Sequence, residues 1–262
     1  MALVQMNFYA HTLDMCTEIN MILPDTSQSY GEDPVEEDDR PIPVLYLLHG
    51  LSDDQTIWCR RTSIERYAAT YRIGIVMPCA GRSFYSNEKY GARYWDFISE
   101  ELPAIVQKYF RVSNRREDTF AAGLSMGGYG AMKLALRCPE RYAAAASLSG
   151  VMDIVSTLNE EKHYALKEKI YGSEDTLKLG FNDLYAAAQQ TAKRIDRPKL
   201  FLGCGTEDSF YTQHVSYVQW LKKLGYSVTD TEANGLGHQW EYWDVALPQV
   251  LHWLKVVCGA QI

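Results

Sequence analysis

Apolar residues recur with two different periods along this chain of 262 residues. Residues 3–9 and 15–23 partly alternate apolar and polar side chains, the period of two that suits a strand with one solvated face, and predict two early strands. From Pro43 the pattern changes. Residues 44–48 (VLYLL) are a continuous apolar run, and 73–77, 119–124, 143–148 and 199–204 read the same way, as strands buried on both faces. Residues 227–232 predict one more strand. Between them lie stretches of helical period at 56–70, 95–109, 125–137, 211–224 and 242–257. Within the second, Leu102, Ile105, Val106 and Tyr109 are predicted to share one face.

Buried strands alternating with helices predict an α/β domain, a mostly parallel sheet with helices on both faces. Right-handed crossovers then bring the strand-to-helix loops to one edge, where they converge on a crevice. Two stretches interrupt the rhythm. Residues 24–41 predict a loop, and its carboxylates Glu32, Asp33, Glu36, Glu37, Asp38 and Asp39 read as a solvated excursion. Residues 151–198 hold two helical pieces, 160–170 and 184–194, without a clear strand, and predict a lid-like insertion over the crevice within a single domain spanning 1–262.

Composition narrows the partners. The net charge of −7 argues against nucleic-acid binding and against an anionic membrane surface. No apolar run approaches about 18 residues, the length of a membrane span. No Lys or Arg precedes Arg40, so the N-terminus lacks the basic segment of a secretory signal, and a cytoplasmic location is expected. Cys16, Cys59, Cys79, Cys138, Cys204 and Cys258 form no C-x-x-C pair and read as buried reduced thiols.

The chemistry concentrates at "TFAAGLSMGGYGAMKLAL", residues 119–136. A strand runs into Gly123-Leu124-Ser125-Met126-Gly127 and a helix follows at once, the setting of a nucleophile elbow. The turn is tight, so residues two positions either side of the serine must be small, and the helix N-terminus behind it favours negative charge. A serine needs a base and an orienting acid elsewhere. In this architecture they follow in the order acid, then histidine, each in a loop after a strand. His238 follows strand 227–232 in "ANGLGHQWEYW". His11, His163, His214 and His252 read as surface or packing residues. "KLFLGCGTEDSFY" offers Glu207 and Asp208 for the acid, and Cys204 beside them reads as a buried thiol. The oxyanion hole is expected from the N–H groups of Met126 and of Leu51, in "HGLSDDQTIW", with His49 supporting that loop.

"LYLLHG", "GLSMGGYGAMKLAL", "GTEDSF" and "GHQWEYWD" together resemble the esterase D group of α/β-hydrolases, most strongly its bacterial tributyrin esterases and feruloyl esterases. The likeness runs from Met1 to about residue 257. It implies the α/β-hydrolase fold and hydrolysis of short-chain acyl or hydroxycinnamoyl esters through an acyl-serine, with Ser125, Asp208 and His238 as the triad. It calls for no metal or organic cofactor, makes a small-molecule ester the partner, and implies a homo-oligomer. The group also holds S-formylglutathione hydrolases, whose members usually carry a cysteine soon after the first H-G; here that stretch reads Leu51-Ser52-Asp53-Asp54. A thioesterase of that type, a deacetylase of sugar esters, a peptidase on the same chemistry and a non-catalytic binding protein remain alternatives. Trp58, Tyr85, Tyr94 and Trp95 are expected either to shape an aromatic acyl pocket or to serve as core and rim packing.

Overall fold

The structure, a computed structural model, describes residues 1–24, 40–172, 177, 180–256, 259 and 262. The acidic run predicted as a loop, and Cys258, lie outside the described residues. Eight strands form one sheet: β1 (Ala2–Ala10), β2 (Met15–Leu23), β3 (Val44–Leu48), β4 (Gly74–Pro78), β5 (Thr119–Leu124), β6 (Ala144–Leu148), β7 (Lys199–Gly205) and β8 (Val228–Ala233). Their spatial order is β1-β2-β4-β3-β5-β6-β7-β8. The β1–β2 and β2–β4 pairings are antiparallel and the remainder parallel.

The α-helices of five or more residues are α1 (Ile57–Arg61), α2 (Ile64–Ala68), α3 (Leu102–Tyr109), α4 (Met126–Arg137), α5 (Ile154–Leu158), α6 (Tyr164–Tyr171), α7 (Leu184–Thr191), α8 (Tyr211–Lys223) and α9 (Trp240–Val256). The helix expected over 56–70 is broken in two, because the backbone at Thr62 turns extended and its hydroxyl bonds back to the Trp58 carbonyl. The stretch expected over 95–109 is helical but contains a wider π turn at Phe97–Glu101. Leu102 and Val106 are buried as expected, Ile105 only partly, and Tyr109 is 58% exposed at the helix end, with Lys108 over its ring.

Alternation along each strand feeds two cores. Val44, Tyr46, Leu48, Ala121 and Ala145 face one with Met126, Met132 and Leu134 of α4. Leu45, Leu47, Phe120, Ala122, Ala144 and Ala146 face the other with Trp58, Trp243, Leu247 and Leu251. The alanines of β5 and β6 let α4 lie close to the sheet, and every residue of α4 from Met126 to Leu136 is buried. Of the five described cysteines, only Cys138 and Cys204 are buried; Cys16 is exposed and Cys59 and Cys79 are intermediate, which corrects the expectation that all are core thiols.

Candidate active site

Strand β5 ends at Leu124 and α4 begins at Met126, so Ser125 alone makes the turn. Its backbone sits at φ 53°, ψ −118°. Such a conformation costs a non-glycine residue about 1–3 kcal/mol and clusters at functional sites. The corner closes because two neighbours lack side chains. A Cβ on Gly123 would lie 2.4 Å from the Gly127 backbone, and one on Gly127 would lie 2.3 Å from the Leu48 carbonyl oxygen. The serine N–H donates to Leu148 O at 2.9 Å, which ties the corner to β6.

Two loops from the same sheet edge meet this serine. His238, after β8, places Nε2 3.0 Å from Ser125 Oγ. Asp208, after β7, places Oδ2 2.9 Å from His238 Nδ1. A carboxylate only accepts, so Nδ1 carries the ring proton and Nε2 is left as acceptor for the serine O–H. The Asp208 side chain is fully buried. Burial works to raise its carboxyl, but the His238 hydrogen bond, the Phe210 N–H on Oδ1 at 2.8 Å and the Ser149 hydroxyl outweigh it and hold it below the usual carboxylate range. Glu207, the other candidate acid, is exposed. The imidazole is fixed edge-on by Phe210 at 5.2 Å and by Trp243 at 4.9 Å, and Trp243 Nε1 donates to Ser149 Oγ at 3.1 Å.

Gly50, Leu51 and Met126 border the space in front of Ser125. Met126 is the first residue of α4, where the N–H has no intrahelical acceptor. The loop carrying Leu51 is fixed from behind by His49. Ala80 N–H donates to His49 Nε2 at 2.9 Å, so Nδ1 holds the proton and donates to Gly50 O at 2.7 Å. Burial keeps that ring neutral by lowering its pKa. His49 therefore supports the loop, as expected.

A cavity of about 460 Å³ opens at Ser125. Phe84, Val151, Phe210, Trp240 and Trp243 make its apolar walls, and Thr157, Lys162 and His163 border it from the segment after β6. That segment is tethered by Gln213 of α8, which bonds the Asp153 N–H and the Thr157 hydroxyl, each at 3.0 Å. Helix α7, from the second helical piece of 151–198, packs instead against α4.

The four aromatic residues considered for an acyl pocket do not border this cavity. Trp58 and Tyr85 are fully buried, with Trp58 Nε1 bonded to Leu48 O and Tyr85 Oη to His49 O. Trp95 packs edge-on against Phe181 at 5.1 Å, and the Tyr94 hydroxyl lies beside Gly81. Their role is support of the core and loops. Phe84, Phe210, Trp240 and Trp243 occupy the walls in their place, and His163, read as a surface or packing residue, reaches the rim. Two of these, Trp240 and Trp243, stand inside the "GHQWEYWD" motif; Phe84 has no sequence mark beyond its aromatic loop. Among the described residues no group of three or more His, Cys, Asp or Glu is arranged to hold a metal ion.

Residues 11–254 match the family described as "Putative esterase". The chain belongs to this family. The esterase is 27% identical to an acetyl esterase of Caldicellulosiruptor saccharolyticus over 98% of this chain and 99% of that relative. Its fold superposes with a TM-score of 0.87 on a fluorophosphonate-binding serine hydrolase of Staphylococcus aureus (FphF), 33% identical, covering 97% of this chain and 98% of that one. An S-formylglutathione hydrolase of the same organism (FrmB) gives 0.84 at 33% identity, with the same coverage. The esterase has the α/β-hydrolase fold and is a carboxylic ester hydrolase, in agreement with the resemblance read from its motifs. No helix among its described residues is long and apolar enough to cross a membrane.

Proposed function

We propose that the esterase hydrolyses small esters of short acyl chains, acetyl esters foremost, with Ser125 as nucleophile, His238 as general base and acid, and Asp208 as the group that orients it. The observation that carries this reading is the unbroken line Ser125 Oγ–His238 Nε2–His238 Nδ1–Asp208 Oδ2, at 3.0 and 2.9 Å, built on a strained elbow. His238 Nε2 takes the serine proton as Oγ bonds to the ester carbonyl carbon. The carbonyl oxygen gains the negative charge and is held by the N–H groups of Met126 and Leu51 at the positive end of α4. As the tetrahedral intermediate collapses, His238 gives its proton to the leaving alcohol. Water then attacks the acyl-serine by the same route, releasing the acid and restoring Oγ–H.

The acyl preference is supported by the acetyl esterase relative. We expect kcat/KM for p-nitrophenyl acetate to exceed that for methyl ferulate and for long-chain esters. A preference for the ferulate would reverse the assignment of the acyl group. The likeness to an S-formylglutathione hydrolase favours a second reading, because the same line attacks a thioester carbonyl. Turnover of S-formylglutathione well above that of p-nitrophenyl acetate would decide for it.

A further inference from the structure

Lys133 lies in the middle of α4 with no exposed surface. The described residues place no carboxylate within ion-pair distance of it, which is rare for a buried lysine. Its Nζ donates to Tyr85 O at 3.0 Å, Ser86 Oγ at 2.8 Å and Asn182 Oδ1 at 2.7 Å, three acceptors for the three protons of an ammonium. The rings of Trp95, Phe181 and Tyr129 stand around it at 4.8, 5.5 and 5.6 Å. Burial, and then the charge of Arg137 one turn on, work against that ammonium and push its pKa well down. A buried cation is costly unless it is hydrogen-bonded, and here three acceptors meet it.

The segment it grips is itself strained. Phe84 and Tyr85 are consecutive non-glycine residues at φ 49° and 48°. Phe84 forms a wall of the active-site cavity, and the Tyr85 hydroxyl donates to His49 O at 2.9 Å, directly before Gly50 and Leu51. We propose that Lys133 is a positioning residue: its ammonium holds the Phe84–Tyr85 turn, and through the Tyr85 hydroxyl it sets the loop that presents the Leu51 N–H to the oxyanion. The inference rests on the roles given above to Ser125 and Leu51. It explains a charge inside a helix that is otherwise buried on all sides.

The test is a double-mutant cycle on kcat with p-nitrophenyl acetate. Lys133→Met is expected to lower kcat about 10- to 100-fold, since misplacing a donor that acts on the transition state lowers kcat and leaves KM less affected. Tyr85→Phe, which deletes only the link to His49, is expected to lower kcat roughly 3- to 30-fold and to melt modestly lower while remaining folded, since it leaves the buried His49 carbonyl without that donor. Because the two act in one line, the double variant should lose no more than about threefold beyond Lys133→Met alone. Full multiplication of the two effects, or a folded Lys133→Met with kcat within about threefold of the parent, overturns the proposal. If Lys133→Met does not fold, Asn182→Ala, which removes one of the three acceptors, takes its place in the same cycle and under the same criteria. Ser125→Ala separates the two levels: if it is inactive while the cycle is additive, only the role of Lys133 falls; if it stays active, both readings fall.

Discussion

Protonation at the Asp208–His238 pair is set by how many donors reach one buried carboxylate. Oδ1 takes the Phe210 N–H and Oδ2 takes the imidazole, so the ionised form is the one the surroundings solvate. Asp208→Asn replaces an acceptor by a group that can donate, favours the other imidazole tautomer, and is expected to lower kcat about 10⁴-fold on the same substrate. Ser125→Ala is expected to fold normally and to lose about 10⁶-fold; retained hydrolysis of p-nitrophenyl acetate would refute the nucleophile. The Asp208 carboxyl lies below its ordinary value when folded, so the unfolded chain binds that proton more readily. Its stabilising contribution is therefore complete above the ordinary carboxylate range and is lost as pH falls through the depressed native value. Urea midpoints measured from about pH 6 down to about pH 3 should fall more steeply for the parent than for Asp208→Asn. Cys204 gives a contrasting case: burial pushes its thiol up to about 12, with the Asp208 charge adding to it. Iodoacetamide should modify exposed Cys16 in the native protein and leave Cys204 unmodified, as mass spectrometry of the alkylated peptides would show.

One scale up, the strand–elbow–helix unit was legible because each of its demands is local. A corner too tight for a Cβ at Gly123 and Gly127 is written into the sequence as glycine, and the nearest contacts are 2.4 and 2.3 Å. Gly127→Ala should therefore separate α4 from the end of β3 and cost at least about 1–3 kcal/mol, together with most of the activity. A variant with parental melting temperature and kcat would contradict this account of the corner. Other elements were less legible. The break between α1 and α2 depends on a Thr62 hydroxyl turned back onto Trp58 O, which no periodicity announces. The π turn at Phe97–Glu101 likewise follows the surroundings and not propensity. Lys133 is a charge in the apolar run "GGYGAMKLAL", but the pattern does not say what it bonds, because its three acceptors come from residues 47 to 49 positions away.

Across the whole molecule, the serine, acid and histidine follow β5, β7 and β8, on the side of the sheet away from the β1–β2 hairpin. Among the described residues, the nine residues of β1 pair with β2 alone, in antiparallel register. A variant lacking residues 1–10 leaves β2 as a bare edge and is expected to melt lower and to self-associate. Ser125 in it should still take a fluorophosphonate label, since Ser125, Asp208 and His238, the proposed triad, lie elsewhere. Loss of labelling in a variant that remains folded would show that the hairpin reaches the site.

The sequence by itself determined the strands, the elbow, the order serine–acid–histidine and the esterase kinship, because hydrophobic period, steric need for glycine and crossover handedness act over a few residues or follow general rules. The resemblance already pointed to Asp208; only the tertiary structure decided which aromatic residues line the cavity and what a buried lysine holds, and it alone displays Asp208 turned inward with Glu207 exposed. Those outcomes depend on the direction in which a side chain leaves its backbone and on neighbours far away in the chain. Packing fixes both, so Phe84, Phe210, Trp240 and Trp243 stand at the cavity while Trp58 and Tyr85 brace the loops behind it.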